Sequence, residues 1–393
     1  MEQHVIVVGL GFGDEGKGST VDAFCAKEDF DLVVRFNGGQ QAGHNVINNG
    51  RHHTFTQFGA GFFNGVPSHT SRYCSFDPLT FNREAAGLSN FTDVDPYKVH
   101  TVSPDAMLTT PLHVMGNHAM EARNGHGTVG VGFGETVRYS LAKDNYLTAS
   151  DLKSPLRLEY KLWDLYGWYL SAEILPPNID IEAMVQDLVK FGSPVNLAED
   201  NEIMDLDNKR ILFEGAQGVL LDEWVGFHPH TTWSRTTPYN AQEMINGEHP
   251  YSVVGVTRTY HTRHGAGPLH TEGGFSEAPR ELHNHDDGFQ GAWRTGGFST
   301  ALFDYAVKQA KPDYLSVTHV DVNAPVYKGW YWVETPRGYA TEEKWLEHME
   351  EEGKGLLASS YKLLDTSASD VIQSKGRVIL FSDGPNETDR RWV

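Results

Sequence analysis

Near its start the sequence reads Val5-Ile6-Val7-Val8-Gly9-Leu10-Gly11-Phe12-Gly13-Asp14-Glu15-Gly16-Lys17-Gly18-Ser19. Four apolar residues followed directly by a glycine-rich turn are typical of a buried parallel strand whose carboxyl end borders a ligand site. The pattern G-x-x-x-x-G-K, from Gly11 to Lys17, predicts a loop that holds phosphate with backbone N–H groups and a lysine. A P-loop would continue with Ser or Thr, whereas this chain has Gly18.

The glycines at positions 11–16 also fit the dinucleotide-binding pattern G-x-G-x-x-G. That pattern needs an acidic residue about 20 positions later, at the end of the second strand. The second predicted strand ends in Arg35-Phe36-Asn37, which disfavours dinucleotide binding. Asp14 and Glu15 lie inside the loop, where a carboxylate repels phosphate oxygens unless it binds a metal or removes a proton. The sequence therefore predicts a phosphate loop that also carries catalytic groups.

The rest of the chain repeats the pattern of a short apolar strand followed by a polar loop. The predicted strands are His4–Val8, Leu32–Phe36, Arg210–Phe213, Tyr251–Val256, Tyr314–Val317 and Arg377–Phe381. Helical spacing of apolar residues predicts helices over Leu156–Tyr169, with Ser154 as cap and Pro155 as first residue, and over Ile181–Phe191 and Glu342–Glu352. We predict an α/β fold: one domain over residues 1–393, with a large, mostly parallel central sheet, flanking helices, a P-loop-like phosphate-binding loop and long inserted active-site loops.

Composition limits the class of function. The chain has 393 residues, and 32 Lys plus Arg against 52 Asp plus Glu give a formal charge of −20, which disfavours binding to nucleic acid or to a membrane surface. No apolar run reaches the ~18 residues that a membrane span needs, and the first residues do not resemble a signal peptide. Two cysteines, Cys25 and Cys74, form no disulfide framework, so we expect a reducing, cytoplasmic location.

Several motifs, in a fixed order along the chain, resemble the adenylosuccinate synthetase family. They are Gly13–Gly18, Asn37–Asn45, Phe213–Asp222, Arg263–Pro268, Thr318–Asp321 and Ser382–Pro385. The resemblance implies a homodimeric ligase that uses Mg²⁺ and a purine nucleoside triphosphate, GTP or ATP, to join L-aspartate to C6 of a 6-oxopurine nucleotide. In such a reaction, removal of the N1 proton places charge on O6, which attacks the γ-phosphate. The 6-phosphoryl group is then displaced by the amine.

The resemblance also implies catalytic roles for individual residues. Asp14 matches the base that removes the N1 proton, and with the backbone carbonyl of Gly43 it would bind Mg²⁺. His44 matches the general acid that neutralises charge on the bridging oxygen, and Lys17 would neutralise phosphate charge. Gln217 matches the residue that holds the purine at O6 and N1, since an amide both donates and accepts.

Other positions match the binding sites of the family. The residues implied for the 5′-monophosphate are Gln41, Thr128, Val129 and Thr232, with Lys143, or its rival Arg138, lent by the partner subunit. Those implied for the triphosphate are Gly13, Glu15, Gly16, Lys17, Gly18, Asp321, Ser382, Gly384 and Pro385. Those implied for aspartate are Arg294 and its helper Arg263. The glycine-rich loop from Gly125 to Gly134 is expected to offer backbone N–H groups to an anion.

Departures from the family favour a particular acceptor. Where the family has a run of arginines, residues 289–296 keep only Arg294, and Ala292 stands where an arginine would reach the ribose edge. His319 replaces a lysine of the donor site, which leaves ATP open beside GTP. A branch of the family, found in bacteriophages whose DNA contains 2-aminoadenine, uses dGMP in place of IMP. The departures favour dGMP narrowly, whereas Asp14 favours IMP because some members of that branch have serine there.

Two other classes of function remain open at this point. A metal hydrolase would use His228 with His230, or the run His283-Asn284-His285-Asp286-Asp287, as ligands. A P-loop-type switch would bind a nucleotide without turning it over. The glycine that follows Lys17, together with His44 and Gln217, disfavours the switch. The run 283–287 lies in a polar insertion, where histidines are more commonly exposed than metal-binding, which disfavours the hydrolase.

Overall fold

The computed structural model describes residues 1–125, 127–272, 275, 289–328 and 362–393. The strands in these ranges are β1 His4–Gly9, β2 Leu32–Arg35, β3 His44–Asn48, β4 Arg51–Phe55, β5 Ser68–Thr70, β6 Ser75–Phe76, β7 His100–Val102, β8 Met107–Leu108, β9 Ile211–Glu214, β10 Tyr251–Arg258, β11 His261–His264, β12 Trp293–Gly296, β13 Phe298–Ser299, β14 Tyr314–Thr318, β15 Val326–Lys328, β16 Lys362–Leu364, β17 Val378–Ser382 and β18 Arg390–Trp392.

The helices in the same ranges are α1 Lys17–Lys27, α2 Pro78–Leu88, α3 Pro111–Asn124, α4 Phe133–Ala142, α5 Pro155–Ser171, α6 Ile181–Gly192, α7 Asp200–Met204, α8 Tyr239–Ile245, α9 Thr300–Ala310 and α10 Ala368–Lys375. Short 3-10 helices cover Phe62–Asn64, Pro96–Lys98, Ala149–Lys153, Val219–Leu221 and Glu387–Asp389. No helix in the described part of the chain is long and apolar enough to cross a membrane. The predicted helix Glu342–Glu352 lies outside the described residues.

The main sheet has nine strands, in the order β18-β17-β14-β10-β1-β9-β2-β5-β7. Every neighbouring pair is parallel except β17 with β18. All six predicted strands belong to this sheet, with bounds that differ from the prediction by no more than two residues. The predicted α/β fold with a large, mostly parallel sheet is therefore confirmed.

Two apolar cores cover the two faces of the sheet. Val5 and Val7 of β1 belong to one core, together with side chains of α1, α2, α5 and α6. Ile6 and Val8 belong to the other, together with side chains of α8, α9 and α10. Because both faces are covered, β1 is buried along its whole length, which explains its continuous apolar sequence.

The sequence did not predict β5 and β7, because polar residues stand where an apolar strand signal is expected. Within the sheet these polar side chains bind one another. Ser68 Oγ lies 2.8 Å from His100 Nδ1, and Thr101 Oγ1 lies 2.9 Å from His69 Nδ1. Cross-strand hydrogen bonds thus satisfy the polar groups that the sheet buries.

The two helices predicted within the described residues are confirmed as α5 and α6. Pro155 begins α5 as predicted, but the Ser154 side chain makes no capping hydrogen bond. The cap of α6 is Asp180, whose carboxylate accepts the N–H of Ala183 at 2.9 Å.

The parallel strands bring six loops to one edge of the sheet. The loops follow β1, β2, β9, β10, β14 and β17, which are neighbours in the strand order. In a sheet of this kind, ligands bind outside the carboxyl ends of the strands. The motifs found in the sequence lie in these loops, so the fold collects them at one edge.

Candidate active site

An internal ion pair holds the loop between β1 and α1. The Glu15 carboxylate is buried; its Oε1 accepts the N–H groups of Gly11 and Gly13, both at 2.9 Å, and its Oε2 lies 2.6 Å from Lys17 Nζ. Asp14 is exposed and has a left-handed backbone, with φ 61°. Of the two predicted carboxylates, Glu15 therefore stabilises the loop from within, and Asp14 is the one accessible to a ligand.

Gly18 leaves room for His44, which explains the departure from the P-loop pattern. A β-carbon on Gly18 would stand 2.7 Å from the β-carbon of His44 and 3.2 Å from its Cα. A serine or threonine at position 18 would collide with that residue. The close approach places His44 against the first turn of α1, beside the phosphate loop.

A buried carboxylate orients the His44 ring. Glu214, the last residue of β9, forms a hydrogen bond with His44 Nδ1 and also accepts the N–H of Ala60 at 2.9 Å. Although burial disfavours its charge, the hydrogen bond from His44 and the nearby Arg35 guanidinium hold the pKa of Glu214 below its usual value. His44 Nε2 is buried and has no hydrogen-bond partner among the described residues. Glu214 therefore fixes the orientation of the ring, so that Nε2 is available to a ligand. Carboxylates that bind the other ring nitrogen of catalytic histidines act in the same way.

The loops after β2 and β9, which are neighbours in the sheet, both carry glutamines. Gln217 follows β9 with φ 62°, and its Nε2 donates to Thr232 Oγ1 at 2.8 Å. Gln40, which the sequence did not single out, donates to the carbonyl of Val131 at 2.9 Å. It thereby links the loop after β2 to the loop at 127–132. The structure thus brings together three of the residues implied for the acceptor nucleotide, Gln41, Thr232 and Gln217.

The loop after α3 differs from the expectation that its backbone N–H groups face an anion. The Glu121 carboxylate accepts the N–H groups of Gly127 and Thr128 at 3.0 and 3.1 Å. Asn117 donates to Thr128 Oγ1 at 2.8 Å. In this conformation α3 thus supplies the acceptor for these two N–H groups, and their binding of a substrate anion stays a prediction. The Thr128 hydroxyl keeps a proton to donate, and Val129 is exposed.

The two arginines implied for aspartate both hold the segment 265–268. Arg263 is buried and donates to the carbonyls of Ala266, Pro268 and His230 at 2.9–3.1 Å. Arg294 donates to the carbonyls of Gly265 and Gly267 and forms a two-point ion pair with Glu272. Arg263 therefore has a structural role here, whereas the guanidinium of Arg294 binds the carboxylate of Glu272 at two points.

The two cations considered for the partner's phosphate differ in their contacts. Arg138 is engaged by the Glu135 carboxylate and lies 4.2 Å from the centre of the Trp168 ring. Lys143, at the end of α4, forms no ion pair with any described residue. Arg138 would have to leave its ion pair with Glu135 to bind a phosphate, whereas Lys143 would not.

The residues implied for the donor base meet at the ends of β14 and β17. Thr318 pairs with Ser382 in the sheet, and Ser382 Oγ donates to the carbonyl of Gly384 at 2.8 Å. Thr318 Oγ1 also donates to the carbonyl of Glu15 at 2.7 Å, which joins this region to the phosphate loop. Partial burial and the carboxylates of Asp383 and Asp389 raise the pKa of Asp321.

With this geometry in place, comparison with known proteins decides the family. The family model described as adenylosuccinate synthetase matches residues 6–361. The chain belongs to the adenylosuccinate synthetase family. Its members are carbon–nitrogen ligases, and the chain is an adenylosuccinate-synthetase-like ligase.

Two curated adenylosuccinate synthetases illustrate the distance to its relatives. The one from Mesoplasma florum is 30% identical over 333 residues, which cover 81% of this chain and 77% of the relative. The one from Stenotrophomonas maltophilia is 31% identical over 294 residues, which cover 69% of this chain and 66% of the relative.

Two solved structures share the fold. The fully ligated adenylosuccinate synthetase of Plasmodium falciparum superposes with a TM-score of 0.79 at 19% identity, and the match covers all of both chains. The succinoaminodeoxyadenylate synthetase of cyanophage S-2L, bound to dGMP and to dATP as energy donor, superposes with a TM-score of 0.65 at 16% identity. That match covers all of this chain and 95% of the cyanophage protein.

Oxygen donors for a magnesium ion of the family type are present. Asp14 offers an exposed carboxylate, and Gly43 offers a backbone carbonyl beside His44. Mg²⁺ binds through one or two carboxylates and substrate phosphates rather than through a full protein cage, so this donor set fits it. Among the described residues, no group of three or more His, Cys, Asp or Glu side chains could hold a metal. The run 283–287, considered for a hydrolase, lies outside those residues.

Proposed function

We propose that the protein joins L-aspartate to C6 of a 6-oxopurine nucleotide through a 6-phosphoryl intermediate, driven by a purine nucleoside triphosphate. The observation that carries the proposal is the position of the His44–Glu214 pair against Gly18, at the start of α1. It puts an imidazole, oriented by a buried carboxylate, beside a phosphate loop. Such an arrangement suits phosphoryl transfer, in which the protein mainly positions groups and stabilises charge.

The described residues account for each step of this reaction. Asp14 takes the N1 proton, and the charge moves to O6. O6 then forms a bond to the γ-phosphorus as the bond to the bridging oxygen breaks, and His44 stabilises the charge on that oxygen. The aspartate amine next attacks C6 and loses a proton, and O6 leaves as part of inorganic phosphate. Mg²⁺, held by Asp14 and the Gly43 carbonyl, would supply charge neutralisation at the phosphates.

The residues implied for the donor support a triphosphate site along the edge of the sheet. Gly13, Gly16 and Gly18 supply backbone, and Lys17 supplies positive charge once phosphate competes with Glu15 for it. We propose that Asp321 and the Ser382-to-Pro385 loop hold the donor base. We propose a purine triphosphate, GTP or ATP, as the donor.

We propose dGMP as the acceptor, which makes the product the 2-amino analogue of deoxyadenylosuccinate. The proposal is supported by the loss of arginines at 289–296 and by the structural likeness to an enzyme solved with dGMP. IMP is the second candidate, because the curated relatives at 30–31% identity are adenylosuccinate synthetases and Asp14 is present.

Comparing dGMP with IMP, each with GTP and with ATP, tests the proposal. Phosphate release with Mg²⁺ and aspartate would be measured for the four pairs. We expect kcat/KM for dGMP to exceed that for IMP by at least about tenfold, because a site built for polar groups rejects an acceptor that lacks them. Turnover on IMP alone would overturn the assignment of the acceptor.

The aspartate site is proposed at Arg294, where the substrate carboxylate takes the place of Glu272. Arg294→Lys should raise the KM for aspartate about tenfold or more and leave the KM for the nucleotides nearly unchanged, since lysine lacks the two-point fork. Steady-state kinetics would measure both constants. Arg157→Lys, which alters the ion pair between the exposed Arg157 and the buried Asp151, is the matched control. An unchanged aspartate KM would place the carboxylate elsewhere.

Homodimerisation is proposed from an exposed apolar surface near Lys143. Leu156, Tyr160 and Trp163 lie at helical spacing on α5 and are 82%, 66% and 48% exposed, and Leu141 of the adjacent α4 is 70% exposed. Exposed apolar side chains grouped in this way mark protein interfaces. The surface would place Lys143 next to the partner's monophosphate site.

Hybrid dimers test whether Lys143 acts across the interface. Mixing Asp14→Asn with Lys143→Ala should restore about a quarter of wild-type activity, because half of the dimers are hybrids and each hybrid has one intact site. Asp14→Asn mixed with His44→Asn should restore none, because both residues act within one chain. No rescue in the first mixture, with dimers verified, would mean that Lys143 serves its own chain.

We propose that residues 1–393 act as one domain. In support, the main sheet combines strands from both ends of the chain, since β1 and β18 belong to it. The cytoplasmic location and the lack of nucleic-acid and membrane partners stay predictions.

A further inference from the structure

Two adjacent glutamines in the loop after β2 have opposite surroundings. Gln40 uses both ends of its amide: Nε2 donates to the Val131 carbonyl at 2.9 Å, and Oε1 accepts from Ser75 Oγ at 3.1 Å. In Gln41, both amide atoms are buried and neither has a partner among the described residues. Burying an amide without partners is costly, so Gln41 is built to meet a ligand, whereas Gln40 is built into the loop.

Gln217 has only one free end. Its Nε2 is committed to Thr232 Oγ1 at 2.8 Å, and its Oε1 is buried without a partner among the described residues. The nitrogen gives one of its two hydrogens to Thr232, and this bond fixes the orientation in which the amide oxygen can accept from a ligand. In this conformation Gln217 therefore presents a fixed, unpaired acceptor oxygen to a ligand.

The free ends of the two glutamines converge on Gly38. A β-carbon on Gly38 would stand 3.3 Å from Gln41 Nε2 and 4.0 Å from Gln217 Oε1. The same point lies 2.9 Å from the Ala216 β-carbon, and Gly38 has a left-handed backbone, with φ 75°. Because Gly38 has no side chain, the space between Gln41 Nε2, a potential donor, and Gln217 Oε1, a fixed acceptor, stays clear.

We propose that Gln41 and Gln217 together read the edge of the acceptor base. Gln41 Nε2 donates to O6, and Gln217 Oε1 accepts from the 2-amino group of guanine, while Asp14 takes the N1 proton between them. The inference rests on the proposed function and deepens it. It moves Gln41 from the 5′-monophosphate to the base, and it supplies the acceptor beside C2 that a guanine nucleotide requires.

The assignment gives a reason for preferring guanine over hypoxanthine. Hypoxanthine has hydrogen at C2, so its nucleotides would leave the buried Gln217 oxygen without a partner. An unpaired buried acceptor costs binding free energy, and this cost is the usual origin of strong discrimination between analogues. Thr232 acts as a positioning residue, because its hydroxyl keeps the Gln217 amide from rotating.

Fragments of the acceptor separate base recognition from phosphate recognition. Binding of dGMP, deoxyguanosine and 2-deoxyribose 5-phosphate to wild type and to Gln41→Met would be measured by calorimetry, without turnover. We expect the Kd of dGMP and of deoxyguanosine to rise about tenfold or more and that of 2-deoxyribose 5-phosphate to stay the same, since methionine keeps the volume and loses the hydrogen bond. Weakened binding of 2-deoxyribose 5-phosphate with unchanged deoxyguanosine would return Gln41 to the phosphate and overturn the proposal.

A matched pair of variants at Thr232 tests whether the Gln217 oxygen is the acceptor beside C2. The quantity measured is the Kd of dIMP divided by the Kd of dGMP. It should fall about tenfold in Thr232→Val, because this variant releases the Gln217 amide. It should stay as in wild type in Thr232→Ser, because this variant keeps the hydroxyl. An unchanged ratio in both variants would overturn the role of Gln217 at C2. Because these are binding measurements, an absence of ligase turnover would contradict the proposed function and not this assignment.

Discussion

Asp14→Asn should lower kcat by about a thousandfold, the size of effect expected when a positioned general base is removed. Asparagine cannot take the N1 proton, so O6 does not acquire the charge that it needs to attack phosphorus. The backbone should be preserved, because asparagine tolerates the left-handed conformation that Asp14 adopts. Phosphate release would measure kcat, and calorimetry would measure binding of the triphosphate.

Donor binding should survive this substitution. The loop is held by Glu15, which binds Lys17 and two backbone N–H groups, and none of these contacts involves the Asp14 side chain. Asp29→Asn, an exposed acid-to-amide change beyond the end of α1, is the control and should have wild-type kcat. A wild-type kcat in Asp14→Asn would remove this residue as the base.

Glu214→Gln should lower kcat by about a hundredfold while the KM values change little. The amide keeps the shape of the carboxylate but offers N–H to His44 Nδ1, which forces the other tautomer and removes the negative charge. Loss of that charge lowers the pKa of His44, because a neighbouring anion favours the protonated ring. The limb of the pH–rate profile that belongs to His44 should therefore move to lower pH, which a kcat profile would measure.

Glu84 supplies the matched control for this experiment. It is also a buried carboxylate that accepts backbone N–H groups, those of residues 56–58. Glu84→Gln should lower the melting temperature without moving the pH–rate profile. A profile that shifts equally in both variants would mean that Glu214 acts through stability rather than on His44.

The fold could be predicted where burial of a strand is visible in the sequence as a run of apolar residues. β1 and β9 are covered on both faces, so each reads as a continuous apolar run that ends in a polar loop. β5 and β7 could not be predicted, since the partners of His69 and His100 come from residues distant in sequence: the neighbouring strand and, for His69, also Asp200 of α7. A single sequence does not show which strands will be neighbours.

The motifs predicted which residues form the site, but they did not predict which side chains bind those residues. Glu15 holds Lys17, Glu121 holds the N–H groups of the loop after α3, and Glu272 holds Arg294. In each case a carboxylate of the chain binds a group that, according to the motifs, would bind an anionic substrate. Glu121 and Glu272 belong to none of the motifs, so only the folded chain reveals these contacts. Substrate binding, on the proposed mechanism, exchanges these carboxylates for phosphate and aspartate.

The fate of the acceptor's O6 tests the central claim most directly. dGMP, or IMP if it proves to be the acceptor, would carry ¹⁸O at C6, and the phosphate released with aspartate, Mg²⁺ and triphosphate would be analysed by mass spectrometry. The 6-phosphoryl mechanism predicts that each phosphate formed carries the label and that the succinylated product has lost it. Unlabelled phosphate, with the oxygen retained on the nucleotide or exchanged into water, would contradict phosphoryl transfer to O6.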